Sequence, residues 1–159
     1  MAMTDADGVP FGAGLCPEVA ETHSGLVVLV GDLAYKVKKP IVTDFLDFSN
    51  VVGREAACAH EVMLNSRLSP DSYLGVAHFH SPRGGDPEPV IVMRRHPDDR
   101  RLATMVRRGQ DVAGQLDAIA AILARFHAGA HRGREVDDEA RIEAVGERWR
   151  ENLAELTRY

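Results

Sequence analysis

Lys36 stands in an alternating run, Leu33-Ala-Tyr-Lys-Val-Lys-Lys39, that Pro40 closes. Side chains on a strand alternate between its faces, so Ala34, Lys36 and Lys38 share one face and Leu33, Tyr35 and Val37 the other. A lysine beside a small residue has room to lie along the sheet, and its ammonium is a point charge suited to a phosphate. Most strand lysines are merely solvated, so Lys36 decides nothing by itself. A second residue adds to it. Ala57, Glu61, Leu64 and Leu68 recur at helical spacing, which sets Glu61 within an apolar stripe and Glu55 on another face. A carboxylate there is costly unless it is paired. Either Glu61 lies at the stripe's edge and reaches water, or it pairs with Lys36 across a contact between sheet and helix.

The elements that must position these two residues are legible around them. Gly25-Leu-Val-Val-Leu-Val-Gly31 is a short β-branched run, and Gly31-Asp32 is a turn signal, so residues 25–39 are expected to form a hairpin. A helix is expected from Ser49 or Asn50, either of which can cap it, to Leu68, where Ser69-Pro70 stops it. Two further short strands are expected at residues 73–79 and 89–94, joined by the loop Ser81-Pro-Arg-Gly-Gly-Asp-Pro87. After Pro97 the pattern is helical: near residues 101–108, then 111–128, then a charged helix from Asp137 to about Thr157. Residues 1–15, with Gly8, Pro10, Gly12 and Gly14, read as a loose lead-in. The fold class expected is α+β, a small antiparallel sheet with one inserted helix followed by helices only.

Composition bounds the function. The chain has 159 residues, enough for one domain with a core, and 45% apolar with 27% charged residues is ordinary globular usage. The net charge of -5 argues against nucleic acid. The local clusters Lys36, Lys38, Lys39 and Arg94, Arg95, Arg100, Arg101 still suit one phosphorylated ligand. Cys16 and Cys58 lack metal spacing and suit a reducing compartment. With no secretory h-region and no long apolar run, a soluble cytoplasmic protein without a membrane is the expectation.

The run Leu33-Ala-Tyr-Lys36 resembles the Val-Ala-Ile-Lys strand of the kinase fold, and Glu61 resembles the glutamate of its first large helix. The interval from Glu61 to Pro70 also fits. More specifically, the chain is similar to the aminoglycoside phosphotransferase-like branch, and within it to a bacterial kinase-like domain that often precedes a P-loop ATP-binding domain. That similarity is carried by Glu21-Thr-His-Ser-Gly-Leu-Val-Val-Leu-Val-Gly-Asp-Leu-Ala-Tyr-Lys-Val-Lys-Lys-Pro40, Phe45-Leu-Asp-Phe-Ser49 and Glu61 to Gly75. It covers about the first ninety-five residues. It implies a kinase-like N-lobe at residues 16–96 and a helical partial C-lobe at 97–159. Lys36 would hold the α- and β-phosphates of ATP and Glu61 would orient it. Met93 would sit at the back of the adenine pocket, the backbone of Arg94 to His96 would face the adenine edge, and Ala34 would be a further cofactor-binding residue. Leu123-Ala-Arg-Phe-His-Ala128 resembles the end of the long helix that opens the C-lobe.

The sequence also departs from that pattern. No Gly-rich phosphate loop precedes Lys36: Gly12-Ala-Gly14 lies too far upstream, and Thr22-His23-Ser24 is the expected turn over the nucleotide. Transfer in this fold requires an aspartate on a catalytic loop and Mg²⁺ ligands, approximately His-Gly-Asp-Leu-His in this branch, and no run here matches. His131-Arg132-Gly133 has glycine where the aspartate belongs, and Asp137-Asp138 reads as a helix start. The resemblance therefore implies a truncated or partial kinase that binds ATP but does not transfer phosphate alone. It would work with a missing C-lobe, a partner chain or a second copy over the exposed face. Two readings stand beside it: a non-catalytic binding or regulatory module, and a plain α+β domain in which Lys36 and Glu61 form a structural pair.

Overall fold

The computed structural model describes residues 17–43 and 46–156. The lead-in at 1–15, Cys16, Phe45 and the helix end at Thr157 lie outside the described residues. Five strands, β1 (Glu18–Glu21), β2 (Gly25–Val30), β3 (Leu33–Lys38), β4 (Tyr73–Phe79) and β5 (Glu88–Arg94), form one antiparallel sheet in the order β1-β2-β3-β5-β4. Helix α1 (Val51–Asn65) lies between β3 and β4 in the chain and packs across β4 and β5. After β5 come a 3-10 turn (Asp98–Arg100) and helices α2 (Leu102–Arg107), α3 (Ala113–Ala128), α4 (Arg134–Glu139) and α5 (Ile142–Leu156). This is the α+β class that the sequence predicts, a small antiparallel sheet with one inserted helix followed by helices.

The β2–β3 hairpin turns at Gly31, whose φ of 55° lies in the left-handed region where glycine is favoured. Its register places Ala34, Lys36 and Lys38 opposite Leu29, Val27 and Gly25 on one face. Across β5, Ala34 meets Met93 and Lys36 meets Ile91. That face takes α1, and Ala34, Cys58, Ile91 and Phe48 are buried; Val90, paired with Val37 on the other face, is buried as well. Gly25 is required for closeness rather than conformation: a Cβ there would come within 2.7 Å of the Val37 carbonyl oxygen.

The structure corrects four expectations. β1, with the pattern Glu-Val-Ala-Glu and every residue exposed, has no apolar alternation to betray it, yet it pairs with β2 along its whole length. Helix α1 ends at Asn65 rather than Leu68, because Asn65 turns its side chain onto the Glu61 carbonyl and its own carbonyl accepts the Leu68 and Ser69 amides. The inward stripe of α1 is Arg54, Cys58 and Glu61, while Leu64 and Leu68 stay exposed. The charged helix expected from Asp137 is two helices, parted at Ala140–Arg141, and Asp137-Asp138 falls inside α4 rather than at a helix start.

The chain divides into two compact units after Gln110. The buried core residues all belong to the first. In the second, no described residue is buried, and Leu116, Ile119, Ile122 and Leu123 of α3 are exposed.

Candidate functional site

Helix α1 begins where the Asn50 side chain accepts the Gly53 amide at 2.8 Å, satisfying one of the open donors of the first turn. Its inclination on the sheet is fixed by Arg54. That guanidinium grips Glu88 at both oxygens, at 2.6 and 2.7 Å, and donates at 2.8 Å to the carbonyl of Phe48. Two turns further on, Glu61 faces β3.

There Lys36 Nζ donates to Glu61 Oε1 at 2.7 Å and Lys38 Nζ to Glu61 Oε2 at 2.5 Å. The carboxylate is bridged by two ammonium groups two residues apart on one strand face. Burial would raise the Glu61 pKa, but the hydrogen bonds and charges of Lys36 and Lys38 together hold it below the ordinary carboxylate range. The ring of Phe48 lies beneath Lys38, 5.4 Å from Nζ to centroid. Tyr73, opposite Met93 in the register, has its hydroxyl pKa pushed up by burial and by the Glu61 charge, with Lys36 opposing. The Cys58 thiol on the same helix face is pushed up by burial.

The structure thus brings together Lys36 and Glu61, with Ala34 two residues back on the same face and Met93 beside it. Met93 is half-buried, and Arg94 and His96 are exposed. The Arg94 amide donates to Ser72 O at 2.9 Å and the Arg95 amide to Asp32 O at 2.8 Å, so both of these donors secure the strand end. His96 Nε2 lies 2.9 Å from Ser72 Oγ, and the Arg95 side chain reaches Glu18 of β1 at 2.8 Å. Thr22 closes the β1–β2 turn by donating amide and hydroxyl to Gly25 O, at 2.8 and 2.9 Å. His131 faces Glu135 at 3.2 Å on the exposed approach to α4. Among the described residues, no group of three His, Cys, Asp or Glu side chains could hold a metal ion.

Phe48, Tyr73 and the Arg54–Glu88 pair are absent from the sequence expectations for the site, and Lys38, expected only as part of a basic cluster, is found bonded to Glu61. For Lys38 the signal existed, since it follows Lys36 on the same face. For Arg54 and Glu88, separated by 34 positions, no local pattern could join them. Chemically, two ammonium groups against one carboxylate leave an excess positive charge on a partly exposed face, suited to charge-assisted bonds with an anion.

No protein-family model matches the sequence. The chain is 57% identical over 139 residues to an uncharacterized protein of Mycobacterium tuberculosis and to one of Mycobacterium bovis, matching 87% of this chain and 28% of each relative. It therefore spans about 28% of the length of these relatives. Among solved structures, WbdD aligns with a TM-score of 0.34 and 16% identity over 64% of this chain and 22% of its own, too slight a likeness to argue from. Among the described residues, no helix is long and apolar enough to cross a membrane.

Proposed function

We propose that this chain forms the nucleotide-holding lobe of an aminoglycoside phosphotransferase-like kinase. Lys36 meets the α- and β-phosphates of ATP, Glu61 orients Lys36, and Ala34 and Met93 border the adenine. The observation that carries this reading is the 2.7 Å bond from Lys36 to Glu61 across the contact of β3 with α1. The excess charge of the Lys36–Glu61–Lys38 group and the likeness of Leu33-Ala-Tyr-Lys36 to the kinase strand support it. The 159 residues contain no His-Gly-Asp-Leu-His run, so the activity proposed for this stretch itself is binding rather than transfer. In this fold, Mg²⁺ would compensate charge on the phosphates.

A ligand that binds only the folded state raises its stability with concentration. Thermal unfolding with ATP, with and without Mg²⁺, should show a midpoint that climbs with nucleotide, by about 2–4 °C for each kcal/mol of added stability. The same titration on Lys36→Ala should be flat. A midpoint that stays unmoved at millimolar ATP in the parent protein rejects this reading.

One observation favours a second reading, an interaction module. The sheet face away from α1 carries an apolar groove of about 450 Å³ lined by Val28, Tyr35, Val37, Ala77, His78, Phe79 and Val90. Phe79 there is 59% exposed. Under this reading Phe79→Asp disrupts self-association in sedimentation experiments while Lys36→Ala changes nothing.

A further inference from the structure

Glu61 has two lysine partners, and they are not equivalent. Lys38 is the more enclosed, its side chain 10% exposed against 28% for Lys36. It holds the other carboxylate oxygen, Oε2, and lies over the Phe48 ring. The backbone of Phe48 is in turn tied to α1 through the Arg54 guanidinium. Lys38 is therefore boxed in by strand, ring and helix. Lys36 is the more open to solvent and lies nearer the Ala34–Met93 end of the face.

We propose that Lys38 is the positioning residue of the site: it anchors Glu61 by Oε2, so that Lys36 can share its charge between Oε1 and an incoming phosphate without releasing the carboxylate. The proposal rests on the nucleotide reading above for its ligand, but not for the anchoring itself. With one carboxylate oxygen held by Lys38, a Lys36 drawn partly toward a phosphate leaves Glu61 paired rather than stranded in a part-buried place. Such stranding is what makes breaking a single buried ion pair costly. One ammonium thus serves the fold and the other the ligand.

Two measurements test it. The Glu61 carboxylate can be titrated by NMR in selectively ¹³C-labelled protein, with the resonance assigned by Glu61→Gln. The anchor role predicts a larger upward shift in Lys38→Met than in Lys36→Met; an equal or smaller one overturns it. The second is ATP affinity, determined well below the unfolding midpoint of each variant. Lys38→Met should weaken binding about tenfold, the scale of one charge-assisted hydrogen bond, and Lys38→Arg should recover most of the loss. A Lys38→Met protein that is less stable but binds ATP as the parent does would reduce Lys38 to a structural residue and overturn the proposal. Absence of ATP binding in the parent protein would instead reject the nucleotide reading, while the carboxylate titration would still judge the anchor.

Discussion

Glu61 keeps its charge in a place that penalises charge, and the two ammonium groups facing it are the reason. Because its folded pKa lies below the unfolded value of about 4.3, its stabilising contribution is complete above that value. It fades as pH falls through the lowered folded value, so neutral pH does not touch it. Glu61→Gln should accordingly flatten the acid limb of stability against pH, measured by urea unfolding from about pH 2 to 6. Arg54 poses the opposite case, a cation that is itself buried. Arg54→Met strands Glu88 and the Phe48 carbonyl, and a loss of about 3 kcal/mol is expected in denaturant titrations. Cys58 is enclosed and its thiol is pushed up by burial, which keeps the reactive thiolate scarce. Iodoacetamide followed by peptide mass spectrometry should therefore find Cys58 modified only in denaturant.

At the scale of elements, α1 is the part on which the site depends, and its start is a single cap. Asn50→Ala should lower stability by about 1 kcal/mol, seen as an earlier urea midpoint with an unchanged slope. The hairpin that presents Lys36 was legible because alternation and Gly31-Asp32 are local signals. The face shared by Ala34, Lys36 and Lys38 followed from the same period. β1 was not legible, since an exposed strand with two glutamates in four residues owes its form to the β2 edge rather than to its own pattern. Helix α1 was legible in position but not in rotation. Leu64 and Leu68 read as core, but burial goes to Arg54 and Cys58 because Glu88, distant in sequence, supplies the partner that turns Arg54 inward. The same blindness to distant partners hid Tyr73, which joins the site through β4–β5 pairing.

For the whole molecule, the division after Gln110 separates a unit with a core from one whose described residues are all at least partly exposed. The first unit holds Ala34, Phe48, Cys58, Val90 and Ile91 as its interior and contains every residue of the candidate site. A segment ending at Gln110 should therefore unfold cooperatively by itself in circular dichroism. The chain's -5 charge leaves the positive Lys36–Glu61–Lys38 group as a local feature against an acidic whole, a setting for one anionic ligand rather than a polyanion. Calorimetric titration of ATP into the parent protein and into Lys36→Ala bears on that ligand most directly. Saturable binding in the parent that vanishes in Lys36→Ala is the result expected. Equal binding by both proteins, or none by the parent, would contradict the assignment of Lys36 and Glu61 as a nucleotide cradle.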